Sequence, residues 1–207
     1  HGSSALAVNT TGANNTAMGH QALAANTTAS SNTAVGYRAM AANTTGTNNV
    51  AIGAPAGVAN TTGSQNIAIG NTALNANSTG SDNVAVGNSS LAATTSSFNN
   101  AHGSSALAVN TTGANNTAMG HQALAANTTA SNNTAMGYRA MAANTTGTNN
   151  VAIGAPAGVA NTTGSQNIAI GNTALNANST GTDNVAIGNN AMAANTASLN
   201  NAIGSSA

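Results

Sequence analysis

The sequence predicts an all-β protein, a parallel β-solenoid whose coils each contain two short strands and two turns. A Gly that closes an Asn-x-Ala-x-Gly string recurs every 17 residues, and the residues around it recur in kind. Asn, Thr and Gly occur every few residues, and none of them is a good helix former. A repeat this short cannot bury an apolar face alone, so we expect successive repeats to stack as coils.

The closing glycines define the coils. They are 17 residues apart, except for a step of 16 before Gly103 and another before Gly204. The result is a block of 101 residues, and residues 1–101 match residues 102–202 at all but ten positions. Glycine suits a tight corner because it has no Cβ. In the first block we predict turn glycines at Gly19, Gly36, Gly53, Gly70, Gly87 and Gly103.

The repeat pattern covers the whole chain and predicts its organisation. Residues 1–207 are expected to form a single repeat array, with super-repeats over 2–102 and 103–203 and the start of a third at 204–207. The first four residues are identical to residues 102–105. The sequence thus begins within a repeat, and we expect the array to be a window on a longer chain.

Two apolar stretches in each coil predict the strands and the core. Ala39-Met40-Ala41 and Val50-Ala51-Ile52 alternate large and small residues, and this period of two is typical of strands. We expect the larger residues to form two facing core columns and the Ala residues beside Ile52 to point the other way. The predicted core consists of Met18, Val35, Ile52, Ile69 and Val86 in one column and Leu6, Leu23, Met40, Leu74 and Leu91 in the other.

Asparagine forms two further columns. One precedes the second apolar stretch, and its amides are expected to form a ladder along the stack: Asn15, Asn32, Asn49 and Asn66. The other begins the Asn-Thr-Thr or Asn-Ser-Thr string, which has turn chemistry and also matches the glycan-acceptor motif of secreted proteins. Turn formation alone also explains these strings. The candidate glycan acceptors are Asn9, Asn26, Asn43, Asn60 and Asn77.

The composition disfavours several classes of function. Charged residues make up 2% of the chain and its net charge is zero, whereas roughly 25% is usual. A neutral chain does not predict a nucleic-acid partner. The absence of Cys excludes disulfides and thiolate metal sites. The sequence contains no run of about 18 apolar residues, so it does not predict that this segment inserts into a membrane.

The few reactive side chains do not predict a catalytic or metal site. The histidines and aspartates are His1, His20, His102, His121, Asp82 and Asp183, and their spacing matches neither a metal-ligand set nor a catalytic triad. Ile203 stands in the third block where His1 and His102 stand in the first two, so no dedicated function is indicated for these two. We therefore predict no catalytic residue, no metal, no cofactor and no enzymatic activity.

One pair of side chains in each block has a functional interpretation. Arg38 follows Tyr37, and Arg139 follows Tyr138, in the turn after the closing Gly. A contact with another chain or with a ligand is one interpretation of these residues, and simple solvation is the other.

The strings NTAMG, NTAVG, NVAIG and NIAIG, each followed by a short Ala-Leu-Ala stretch, resemble the head repeats of YadA-type trimeric autotransporter adhesins. The unit GYRAMAANTTGTNNVAIG is also similar to repeats of bacterial and phage proteins of the tail-fibre type. The resemblance covers the whole chain. It implies a left-handed parallel β-roll, a parallel homotrimer and a location on a cell or virion surface. From the spacing alone, a single-chain solenoid is equally consistent with the sequence.

The predicted function is a structural or adhesive extracellular fibre segment. Its partners would be further copies of the chain, as a homotrimer or an end-to-end filament, and a host surface, matrix or glycan. The alternative is an ice-binding solenoid, because Thr pairs such as Thr44-Thr45 and Thr61-Thr62 recur in register, as in some antifreeze proteins. The fibre is favoured because these pairs lie in a turn and not on a broad strand face.

Overall fold

The computed structural model describes residues 2–207, and His1 lies outside them. The described residues form twelve three-residue strands joined by turns, which confirms the predicted all-β class. They include no helix, and therefore none that is long and apolar enough to cross a membrane. The chain divides into two compact units, His1–Asn99 and Asn100–Ala207.

The first unit is a parallel β-solenoid with five strands. They are β1 (Thr16–Met18), β2 (Thr33–Val35), β3 (Val50–Ile52), β4 (Ile67–Ile69) and β5 (Val84–Val86). Within the unit, neighbouring strands pair in parallel in chain order, so that Val50 lies beside Ile67 and Ile52 beside Ile69. This register places equivalent residues of successive coils directly above one another, which confirms the 17-residue coil.

The second unit has the same architecture with seven strands. They are β6 (Asn100–His102), β7 (Thr117–Met119), β8 (Thr134–Met136), β9 (Val151–Ile153), β10 (Ile168–Ile170), β11 (Val185–Ile187) and β12 (Asn201–Ile203). All pair in parallel with their neighbours in chain order. Val185 of β11 pairs with Asn201 of β12 across a coil of 16 residues. The 16-residue coil thus keeps the sheet in register, because the turn before the strand is one residue shorter.

Each coil contains one strand, and the predicted second strand is wrong. The stretch after the closing Gly is a series of turns, in which the Ala22 N–H donates to Gly19 O and the Asn26 N–H donates to Leu23 O. Leu23 has a φ of 50°, in the left-handed region. The chain therefore bends at this Leu, because a left-handed residue cannot continue an extended strand.

The core of each unit is thin because its residues are small. The central residue of almost every strand is a buried Ala, such as Ala51, and a second Ala column includes Ala39. A column of Leu and Met faces them, in which Leu23, Met40, Leu74 and Leu91 are buried, while Leu6 in the first coil is half-buried.

The strands face the opposite way from the prediction. Ile52 is 40% exposed and Met18 is 53% exposed, and Val35, Ile69 and Val86 are half-buried on the same outer side. The assignment of Met18, Val35, Ile52, Ile69 and Val86 to the core is therefore wrong for each unit by itself. The inner side of the strand faces the Leu column and two asparagine columns at close range, and only a methyl group is accommodated there.

Two buried asparagine ladders complete the interior. In the strand ladder, each Asn stands just before a strand, and the Asn66 N–H donates to Asn49 Oδ1 at 2.9 Å. In the turn ladder, each Asn begins an Asn-Thr-Thr or equivalent string, and Asn60 Nδ2 donates to Asn43 Oδ1 at 2.8 Å. Both ladders donate to the same turn carbonyl, since Asn49 Nδ2 and Asn60 Nδ2 each lie 2.9 Å from Gly63 O. The predicted ladder at Asn15, Asn32, Asn49 and Asn66 is confirmed.

One coil in each block departs from this pattern. Pro55 stands where other coils have a left-handed residue such as Arg38 or Thr72, a conformation closed to proline, and the Ala54–Pro55 peptide is cis. Gly57 then occupies the Leu column with a φ of 55°. The longer side chain of Met40, in the preceding coil, reaches within 3.3 Å of the position that a Cβ on Gly57 would take. Met40 therefore fills part of the space that the missing side chain leaves.

Candidate interaction surface

The outward side chains of the strands form an exposed surface on each unit, which we call the sheet face. It consists of the first and third residues of every strand. In the first unit these residues are Thr16, Met18, Thr33, Val35, Val50, Ile52, Ile67, Ile69, Val84 and Val86. In the second unit they are Asn100, His102, Thr117, Met119, Thr134, Met136, Val151, Ile153, Ile168, Ile170, Val185, Ile187, Asn201 and Ile203.

The sheet face is apolar over consecutive coils. Val50, Ile52, Ile67 and Ile69 form a patch of four β-branched aliphatic side chains on β3 and β4, and each is exposed or half-buried. β9 and β10 of the second unit carry the corresponding patch. Ile and Val are stiff at χ1. Because these side chains have little rotamer freedom in the free chain, they would lose little conformational entropy when a partner binds here.

A parallel sheet with one bare apolar face is unusual. Parallel sheets are normally covered on both faces, and their strands are rich in Val, Ile and Leu for that reason. Here the coil itself covers the inner face, through the Ala and Leu columns. No segment of residues 2–207 covers the sheet face in this way, and a contiguous exposed apolar surface of this kind marks a site of association.

The candidate glycan acceptors lie inside the coil. Asn26, Asn43, Asn60 and Asn77 are buried in the turn ladder, and Asn9 in the first coil is half-buried. Asn43 Nδ2 donates to both Asn26 Oδ1 and Gly46 O, at 3.0 Å each. The nitrogen that would carry a sugar is therefore enclosed and hydrogen-bonded. The prediction of glycan acceptors in this column is wrong for the folded chain, and turn formation accounts for the Asn-Thr-Thr strings.

The Thr pairs form two columns along the stack, and only the column of second Thr residues is consistently exposed. The first Thr of each pair is bonded along the stack, since Thr44 Oγ1 donates to Thr61 O at 3.1 Å and Thr61 Oγ1 donates to Ser78 O at 3.0 Å. The second Thr, as at Thr45 and Thr62, is exposed at the turn. Nothing in this arrangement favours the ice-binding alternative over the fibre.

The remaining side chains singled out in the sequence lie at three separate places in the described part of the chain. Those in the turn before the strand are Asp82 and Asp183. His102 is half-buried on the sheet face of β6, beside Met119 of β7. His20 and Tyr37 stack with ring centroids 5.6 Å apart, at the corner that follows the strand. Within residues 2–207, no three His, Cys, Asp or Glu side chains lie close enough together to hold a metal ion.

The sequence does indicate which strand residues form the sheet face, although the alternation of large and small residues alone does not. The middle of each strand is Ala in all twelve described strands. Its two neighbours vary between coils among Thr, Val, Ile, Met, Asn and His. Among the three strand positions, the one that is Ala in every coil is enclosed, and the two that vary among apolar, amide and imidazole side chains face outward. The variation among repeats thus identifies the buried side better than side-chain size does.

Comparison of the chain with protein-family models, with curated proteins and with solved structures gave no significant match. The fold alone defines the class: a repeat protein built of parallel β-solenoid units with one exposed apolar sheet face on each.

Proposed function

We propose that this chain is a segment of a structural fibre on the outer surface of a cell or virion, and that it assembles as a parallel homotrimer through the sheet face. The exposed apolar face of a parallel sheet is the observation that carries the proposal. The resemblance to trimeric adhesin heads and tail-fibre repeats supports the trimer and the location. No catalytic step is part of the proposed role.

The stacked coils support a mechanical role. Within each unit, neighbouring coils are joined by the strand pairing and by the strand ladder, in which Asn49 bonds to Asn32 on one side and to Asn66 on the other. The turn ladder adds bonds between most coils and ends at Asn77, because Thr94 stands in the next coil. In such arrays stability is the sum of local coil terms and contacts between neighbours. A chain of this kind gains length by adding coils without a new core.

Three parallel copies would cover each other's sheet faces. Because the copies would be in register, the Ile52 side chains of all three would meet at one level and the Ile69 side chains at the next. A cyclic arrangement closes on itself and leaves no open sheet face. Burial of apolar surface contributes about 25 cal/mol per Å², so the repetition of the face over many coils multiplies a small gain per coil.

The mass of the assembly tests this proposal directly. The chain has a mass of 19.6 kDa, and we expect light scattering of the purified protein at micromolar concentration to give three times that value. A mass of 19.6 kDa, unchanged up to millimolar concentration, would contradict self-association. A stable assembly of another copy number would retain the sheet face as the interface and reject the trimer.

Variants of the sheet face test whether it is the interface. The chain itself places Asn100 and His102 in the two outward columns, so I67N/I69H together with I168N/I170H introduces residues that a coil accommodates. We expect this variant to shift the mass toward the monomer while the circular dichroism spectrum stays that of the wild type. Loss of the apolar contacts weakens the interface, and the buried Ala and Leu columns are untouched.

The matched control is Q65N together with Q166N, which changes exposed left-handed positions where Asn48 and Asn149 stand in other coils. This control should keep the assembled mass. Retention of that mass by the I67N/I69H, I168N/I170H variant would show that another surface joins the copies.

A further inference from the structure

The exposed aromatic residues are few, and two of them occur in the same setting. The chain has two Tyr, one Phe and no Trp. Tyr37 is 53% exposed and Tyr138 is 54% exposed, each directly after a closing Gly. Each stacks on the His of the preceding coil, Tyr37 on His20 at 5.6 Å and 12° between ring planes, and Tyr138 on His121 at 5.7 Å and 11°.

The other side of each Tyr ring faces a notch. The residue in register one coil further on is Ala54, which presents only a methyl group. Two coils on stands Asn71, whose Nδ2 donates to Ala54 O and so is held over that residue. The Asn71 amide thus reaches back to the level of Ala54, and the open part of the notch is the outer Tyr face above the Ala54 methyl group. Because Tyr37 is 53% exposed, a saturated six-membered ring can stack on this face at the usual carbon contact distance of about 3.5–4.0 Å.

The second unit contains the same notch. Ala155 follows Tyr138 in register, and Asn172 Nδ2 donates to Ala155 O. The arrangement of His, Tyr, Ala and Asn in four successive coils is therefore built twice. The other coils of each unit lack an aromatic side chain in this column.

A cation accompanies each notch. Arg38 is exposed in the column next to Tyr37, and Arg139 is exposed next to Tyr138. Neither guanidinium makes a hydrogen bond or ion pair to another side chain among residues 2–207. One coil back in the same column stands Gln21 or Gln122, a further donor. Each unit thus places its one cationic side chain of fixed charge beside its one exposed Tyr.

We propose that each notch binds one sugar ring of an acidic oligosaccharide. The C–H face of a pyranose carries partial positive charge and stacks on the negative π face of Tyr37. A carboxylate on the same sugar accepts charge-assisted hydrogen bonds from the Arg38 guanidinium, and these are about twice as strong as neutral ones. The site is independent of self-association, because all its residues belong to one chain.

The probes for this site are a trisaccharide of galacturonic acid and a neutral trisaccharide of galactose. The chain has only two Tyr, one Phe and no Trp, so we expect the Tyr ring protons to be identifiable in its NMR spectrum, and their shifts would follow a titration with either sugar. We expect saturable shifts of the Tyr signals with the acidic trisaccharide and about tenfold weaker binding of the neutral one, because a lost charge-assisted bond costs roughly that factor.

The chain supplies conservative replacements for the site residues. Y37N with Y138N places at both positions the residue that Asn71 and Asn88 have in the same column, and R38Q with R139Q copies Gln21. Binding to the tyrosine variant is followed by ligand-observed saturation transfer. We expect it to bind the acidic trisaccharide at least about tenfold more weakly. The arginine variant should bind the acidic and neutral sugars equally. The control is F98N with L199N, which removes exposed apolar side chains elsewhere and should leave binding unchanged.

Three results would overturn the inference. They are undiminished binding by the tyrosine variant, an equal loss in the F98N/L199N control, and no shift of the Tyr signals at millimolar sugar. A tyrosine variant with altered mass and unaltered sugar binding would instead assign the notch to contacts between copies. If the I67N/I69H, I168N/I170H variant is monomeric and still binds the acidic trisaccharide, the sugar site does not depend on the proposed trimer. The trimer itself is tested separately, by the mass of the assembly.

Discussion

Replacing Asn49 with Asp is expected to unfold its coil, whereas the same replacement at the adjacent Asn48 is expected to have almost no effect. Asn49 is 1% exposed in the strand ladder, and Asn48 is exposed at the turn. The column of Asn48 contains Asp82 and Asp183 in other coils. The two substitutions are identical in size and in charge, so any difference between them reports the ladder.

The cost at Asn49 comes from its amide hydrogens. Asn49 Nδ2 donates to Gly63 O at 2.9 Å and to Asn32 Oδ1 at 3.2 Å. A carboxylate cannot donate, so it would face two acceptors while buried. Each unsatisfied buried group costs about 1–3 kcal/mol, and a buried charge costs more. We expect a loss of at least about 4 kcal/mol for N49D and less than about 0.5 kcal/mol for N48D.

The pH dependence identifies the cause. Burial raises the pKa of the introduced carboxyl above its unfolded value of about 3.9. The protonated form is neutral and has one O–H to donate, so N49D is least destabilised below the unfolded pKa. Its stability relative to the wild type falls as the pH rises through the folded pKa. Melting followed by circular dichroism at pH 3 and pH 7 measures this, and a pH-independent deficit would reject the buried-carboxylate explanation.

The sequence predicted the period, the parallel solenoid and the strand ladder because these depend on register alone. A repeat of 17 residues places Asn49 above Asn32 in any stacked coil, whatever the path of the chain between them. The orientation of the strand depends instead on how wide the coil is. Ala51 and Ile52 alternate equally well with either one inside, and only the width of the interior decides between them.

The second strand failed for a related reason. Ala39-Met40-Ala41 has the alternation of a strand, but Met40 has a φ of 47° and the chain turns there. Left-handed φ is uncommon for Leu and Met. Two contacts stabilise the left-handed conformation of Met40. Its side chain lies in the core, and its backbone N–H donates to Ala56 O of the next coil at 3.0 Å. Gly57, with a φ of 55° in the same column, was the available indication of this conformation.

The sheet face was not predicted as a site, and a contact with another chain or a ligand at Tyr37 and Arg38 was only one of two interpretations of the sequence. The stacking of His20 on Tyr37 follows from their equivalent positions in successive coils, which the register of 17 does contain. What the sequence does not contain is which columns are exposed. Once Ala51 is placed inside, both the apolar patch and the corner with Tyr37 lie outside.

Replacing Gly53 with Ala is the second substitution expected to have a large effect, and Gly57→Ala is its matched control. Gly53 has a φ of 143°, which L-residues rarely adopt. A Cβ there would lie 2.4 Å from Gly70 O and 2.7 Å from Gly70 C. Both atoms belong to the backbone of the next coil, so the clash cannot be relieved by a change of rotamer.

The cost follows from these two terms. Backbone strain of this kind costs about 1–3 kcal/mol, and overpacking costs about 1–3 kcal/mol more. We expect Gly53→Ala to destabilise the coil by about 2–6 kcal/mol. The pairing of β3 with β4 would be lost first, since the Gly70 N–H donates to Ile52 O at 2.8 Å beside the clash. Hydrogen exchange of the Gly70 amide measures that loss locally.

Gly57→Ala adds the same methyl group only four residues away, with a different result. Its nearest neighbours would be Met40 Cγ at 3.3 Å and the Cβ atoms of Ala51 and Ala68 at 3.9 Å each, and the φ of 55° is one that Leu74 shares in this column. Met40 has a flexible side chain that can move aside. We expect a change within about 1 kcal/mol. Equal destabilisation by the two substitutions would mean that close approach of successive coils at the closing glycine does not limit stability, and that the corner tolerates a side chain.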